Sequence, residues 1–248
     1  MKTDKTNLTE KMSIFKIAAF IFIPTTVLMA AYIFMGYTQT AIPSLLLFFL
    51  LAIILLFSFE IGVVLKASKK AYGKYSLKSA FNNYEKMSAW KVFMYGSLLF
   101  AFAGIMSITV APLENSLFAP LSNKLTQIMP KYFNWNNIEY LKQYPKAILL
   151  VTCVGYSICN VIIGPIIEEL FFRGYLTSKL SRLGNFAPLI ITVLFSLYHF
   201  WLPFNNLFRI CAFFPAAWLA WKKKNIYIAI AFHCLCNLIS TVGFIVSV

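Results

Sequence analysis

The sequence predicts an all-α, polytopic membrane protein of about seven transmembrane helices. Three observations predict it. Apolar residues fill 60% of the 248 positions and charged residues only 12%, where a soluble domain carries about 25% charged residues. Several apolar segments reach the roughly 20 residues that a helix needs to cross a bilayer core of about 30 Å. The basic residues gather at the ends of those segments, as topology signals do. Mean hydropathy is +0.75. This is one integral membrane domain with no room for a large soluble module. It divides at about residue 145 into N-terminal transmembrane helices with an external loop (1–145) and a C-terminal part (146–248) that holds both histidines and the only adjacent acidic pair.

The spans follow in order. The first covers 13–35; it has no small-residue cleavage site behind it, so it is expected to be a retained span and not a signal peptide. The second covers 43–65 and the third 92–111. The fourth starts near 146 and runs through the acidic pair to about 180. The fifth covers 186–202, the sixth 207–221, and the seventh 226–246. Pro215 is expected to kink the sixth. The stretch 112–145 is expected to be a loop, with a short interfacial helix near 117–129.

Orientation comes from the lysine and arginine bias. Seventeen of the 22 basic residues lie on one side if Lys2, Lys5, Lys11 and Lys16, the 66–91 loop, Arg173, Lys179 and Arg182, and Lys222–Lys224 share it. That side is expected to be the cytoplasm, with an internal N-terminus and an external C-terminus. Lys124, Lys131, Lys142, Lys146 and Arg209 are left outside. The formal charge of +14 then reflects topology and contact with anionic lipid head groups, not nucleic-acid binding. The five cysteines all fall inside spans, which argues against a disulfide framework. Cys234 and Cys236 follow His233 closely and read as small buried thiols, not as a metal site.

The chemistry concentrates in Gly164-Pro165-Ile166-Ile167-Glu168-Glu169-Leu170-Phe171-Phe172-Arg173. A charged side chain at mid-membrane costs about 2.5–3.5 kcal/mol on insertion scales, so a pair of them implies use. Glu168 and Glu169 lie about 100° apart on a helix and cannot share a task. Glu169 and Arg173 have the favourable i,i+4 order for an ion pair, leaving Glu168 to face the interior. Phe171 and Phe172 would desolvate it, a setting that suits a general base. His199, with Phe195 one turn before it, is expected to orient or deprotonate a water. His233 and Asn237 share a helix face and present two donors suited to an oxyanion. Counted from their helix ends, Glu168, His199 and His233 sit about 20, 20 and 14 Å deep. Glu60 carries no motif; it is expected to pair with Lys66 or snorkel toward it.

The order Glu-Glu-x-x-x-Arg, Phe-x-x-x-His, His-x-x-x-Asn, each on its own span, resembles the CPBP intramembrane proteases (the CAAX-protease and bacteriocin-processing, or Abi, family). The motifs cover about 166–237. The resemblance implies a CAAX-protease-like helical bundle with its catalytic core in 146–248, and peptide-bond hydrolysis inside the membrane. It implies that Glu168 and His199 activate water, that His233 and Asn237 stabilise the tetrahedral intermediate, and that Glu169, Arg173 and Phe195 support them. No cofactor is expected; if a metal is used, zinc held by Glu168, His199 and His233 is the form it would take. The segment 209–217 is bulkier than the small-residue stretch many members carry there, which bears on the substrate groove. The expected partners are a peptide or membrane-protein substrate and a bilayer with anionic lipids, in a bacterial-style cell membrane; the oligomeric state is open. Two alternatives stand beside this reading. One is a non-enzymatic bacteriocin self-immunity or membrane scaffold protein. The other is a proton-coupled carrier, against which the lack of repeat halves argues.

Overall fold

The computed structural model describes residues 11–82, 84–135 and 137–248. Lys2 and Lys5, counted above on the basic side, lie outside the described residues. Seven principal helices follow one another: α1 Ile14–Thr38, α2 Ser44–Tyr72, α3 Ala89–Ile128, α4 Lys146–Lys179, α5 Phe186–Leu197, α6 Asn206–Lys222 and α7 Tyr227–Ser247. There is no strand among the described residues. Five of the helices (α1 to α4 and α7) are long and apolar enough to cross a membrane. α5, with 12 residues, and α6, with 17, fall short of that length.

Local chemistry sets most of the ends. Ser13 opens α1 by accepting the Lys16 N–H at 3.2 Å, the usual N-cap bond. α2 stops at Gly73, whose φ of 76° is the left-handed conformation that closes helices. The short 3₁₀ turn Lys78–Ala80 then folds back on α2, where Ser79 Oγ donates to the Val64 carbonyl and the Ser79 N–H donates to Ser68 Oγ. At the far end of the chain, Asn225 joins α6 to α7 and donates to the Glu85 carbonyl at 2.9 Å.

Two expected boundaries are corrected. The first part of the expected 112–145 loop, with its interfacial helix at 117–129, is replaced by a continuation of α3, which passes through Pro112 and Pro120 and reaches Ile128. Only the stretch from 129 to 145 remains a connection. At 1.5 Å per residue its 40 residues extend about 60 Å, roughly twice a bilayer core. The reason lies in tertiary structure: Glu114, beyond the first proline, is buried and accepts the N–H groups of Leu207 and Phe208 at 2.8 and 2.7 Å. Those are orphan donors of the first turn of α6. The fifth span, expected to reach 202, ends as a helix at Leu197. A continuing helix would offer the Ser196 carbonyl to Phe200 N–H. Instead the carbonyl accepts from Arg209 Nη1 at 3.0 Å, and Phe200 N–H turns to the Tyr198 carbonyl.

The core gathers around the second half of α4. Phe171, Phe172, Leu176 and Leu180 are fully buried, as are Phe195, Tyr198 and Phe232 from α5, its following turn and α7. In lipid the gain from such burial is close packing more than escape from water. The approach is close enough to require glycine at one place: a Cβ on Gly174 would lie 2.7 Å from the Ala80 carbonyl oxygen.

Candidate active site

α4 carries the acidic pair on a short α-helical stretch, Gly164–Glu169, between two π-helical segments, Ser157–Ile163 and Leu170–Leu176. Such wide turns shift side-chain direction and release carbonyls from the helical ladder. Glu168 and Glu169 are both buried, and they face different partners. Glu169 Oε1 meets Arg173 Nη1 at 3.1 Å and His233 Nδ1 at 3.0 Å. The Arg173 guanidinium lies over the Phe195 ring, 4.0 Å from its centroid. Its Nη1 and Nε make no aligned hydrogen bond, so Glu169 and Arg173 meet as charges more than as a fork.

Glu168 faces the other way. Its Oε1 accepts from the Tyr198 hydroxyl at 2.8 Å, and its Oε2 lies 3.8 Å from His233 Nε2. The His233 ring thus stands between the two carboxylates. Phe213 and Phe195 meet it edge-on, at centroid distances of 4.9 and 5.8 Å.

His199 sits in the turn after α5, not on the helix. Its Nδ1 is 2.7 Å from the Phe195 carbonyl. A carbonyl only accepts, so Nδ1 carries the hydrogen, and in the neutral ring Nε2 holds the lone pair. The ring packs against Tyr198 and Trp201 at 4.7 and 4.9 Å. Asn237 donates through Nδ2 to the Asn160 carbonyl at 2.8 Å, an acceptor in the π segment of α4. The second N–H of that amide remains.

A cavity of about 810 Å³ unites these groups; Glu168, His199, His233 and Asn237 all line it. Glu169, Arg173 and Phe195 do not line it and stand behind its wall. His233 and Asn237, expected to aim together, share the cavity but are tied to separate partners, Glu169 and Asn160. Among the described residues no group of three or more His, Cys, Asp or Glu side chains is arranged to hold a metal ion. The candidate zinc ligands Glu168, His199 and His233 share the cavity without forming such a group. All five cysteines are free thiols.

Three polar residues of the site are not among the fixed motif positions. Tyr198, inside the second motif, binds Glu168 directly. Arg209, expected on the external side, is buried and lines the cavity. Glu60 does not pair with Lys66. Six residues along a helix is about 240° around it, so Lys66 faces out while Glu60, 1% exposed, turns inward to interact with Glu168 and Tyr198. A carboxylate in an apolar span was the available signal for Glu60, and an arginine inside an apolar span for Arg209. Tyr198 offered none beyond its place next to His199.

The fold and the site define a class: a helical multi-pass membrane protein whose bundle encloses carboxylates and imidazoles around a cavity. Within it, residues 150–239 match the model of the family described as Rce1-like, type II CAAX prenyl endopeptidase. The match bears out the CPBP resemblance, covers about a third of the chain and contains every motif residue. The family is one of peptide hydrolases. No curated protein and no solved structure matches the chain.

Proposed function

We propose that the chain is an intramembrane endopeptidase that hydrolyses a peptide bond of a membrane-associated protein or peptide, without a metal. The observation that carries this reading is the 3.8 Å gap between Glu168 Oε2 and His233 Nε2 on the wall of a cavity shared with His199 and Asn237. A water at about 2.8 Å from both atoms closes a triangle over that gap. Glu168 takes the proton as the water oxygen attacks the peptide carbonyl. The remaining N–H of Asn237 meets the oxyanion. The C–N bond then breaks as the proton passes to the leaving amine, with the His199 Nε2 lone pair available to relay it. Glu169 holds the His233 ring through Nδ1, Arg173 holds Glu169, and the Phe195 ring packs against Arg173 and His233. If zinc were bound, Glu168, His199 and His233 would have to draw together to hold it, and the ion would supply a Lewis acid. The expected setting is a cell membrane with the N-terminus in the cytoplasm.

The test is comparative peptide profiling of cells that carry the wild type or Glu168→Gln. A peptide that accumulates uncut only with the variant supports the reading and identifies the substrate. Identical profiles, with both proteins in the membrane, defeat it in favour of a scaffold or immunity role. Elemental analysis of purified, active protein decides the metal question; stoichiometric zinc would overturn the metal-free mechanism.

A further inference from the structure

Arg209 is 7% exposed, yet its guanidinium lines the cavity. Among the described residues no carboxylate lies within ion-pair distance of it, although Glu114 and Glu168 act on it from farther away. Glu114 is already committed to two N–H groups of α6. Of the guanidinium nitrogens only Nη1 has protein acceptors: the Ser196 carbonyl at 3.0 Å, and Ser196 Oγ and Asn206 Oδ1 at 3.5 Å. Nε and Nη2 have none among the described residues, and neither is sealed off as an enclosed orphan atom. A buried cation with half its fork unused is costly unless something completes it. The complementary group for that fork is a carboxylate, which takes two parallel N–H bonds.

We infer that Arg209 forms an anion subsite of the cavity that binds a carboxylate of the peptide substrate. This rests on the proposal that the cavity receives a peptide. A peptide supplies a carboxylate from its C-terminus or from an Asp or Glu side chain. In the first case the enzyme cuts close to a chain end, and in the second beside an acidic residue.

The test uses full-length Glu168→Gln protein in lipid nanodiscs. Its probes are dye-labelled apolar peptides of one composition in three forms: free C-terminal acid, C-terminal amide, and amide with one internal Glu. Fluorescence anisotropy should show one acid-bearing form binding about tenfold or more tighter than the plain amide, the usual scale of a charge-assisted pair. The preferred form tells the two carboxylate sources apart. That preference should collapse in Glu168→Gln/Arg209→Gln and survive in part in Glu168→Gln/Arg209→Lys, which keeps the charge and loses the fork. Arg209 also shapes the His199 turn, so a purely structural loss would weaken all three peptides equally and leave the ratio unmoved. Equal binding of acid and amide forms, no binding of either, or an unchanged ratio in the Arg209→Gln protein overturns the subsite. The same peptides with wild-type protein separate the two ideas. Cleavage without acid preference sinks the subsite and keeps the protease. Acid-selective binding that depends on Arg209, with no cleavage, keeps the subsite and sinks the protease.

Discussion

The two halves of α4 differ in sequence, one charged residue against four, and have opposite surroundings in the fold. In the first half, 146–163, Leu150, Val151, Val154, Ile158 and Ile162 stand exposed, and only Thr152 and Cys159 are buried. In the second, 164–179, nearly every residue is enclosed. Past Lys146 at its start, the charges of the helix lie only in the enclosed half. Hydropathy marks the first half as membrane material; the charges of the second mark the half that faces protein.

That contrast can be broken or sharpened by substitution. The largest stability effect belongs to Glu169→Ala. It strands the Arg173 guanidinium, and unpairing a buried charge costs about 3–5 kcal/mol. Denaturant or thermal unfolding in detergent should show that loss; wild-type stability would mean that the pair does not hold the enclosed half together. Next comes Tyr198→Phe, which deletes the hydroxyl that donates to Glu168. Hydrogen bonds to charged groups are worth about 1.5–3 kcal/mol, so stability should fall by about that much, and peptide cleavage should slow because Glu168 loses the bond that positions it. Gly174→Ala should cost about 1–3 kcal/mol through overpacking against Ala80. The smallest effect is its counterpart in the exposed half. A Cβ on Gly155 would meet Leu46 Cδ1 at an ordinary 3.6 Å, and Gly155→Ala should be neutral or stabilise by up to about 1 kcal/mol through helix propensity. Equal costs for the two glycine changes would erase the distinction between the halves.

The main helices were legible because apolar length and basic flanks are properties of the local sequence. All seven lie where the sequence puts them, to within several residues at most ends. Glu168, His199, His233 and Asn237 could be singled out because polar groups are rare in spans, and the fold does bring them to one cavity. What escaped depends on contacts between distant segments. Pro112 reads as a helix end until Glu114 is seen holding α6. The fifth span looks long enough to reach 202 until Arg209 takes the Ser196 carbonyl. Lys66 looks like the partner of Glu60 until the helix turns them to different sides. In each case a buried charged residue is placed by contacts elsewhere in the bundle, and no local pattern encodes that choice.

Glu114 also bears on how separable the family-matched segment is. The family-matched stretch 150–239 begins its sixth helix on a carboxylate supplied from α3, and its glycine at 174 is fitted to a turn near residue 80. A chimera that transplants only that stretch into another helical frame would carry every motif residue and leave behind the anchor of Arg209 and its neighbours. An engineer would have to move the acid along with it, or install one on whichever host helix passes the same point.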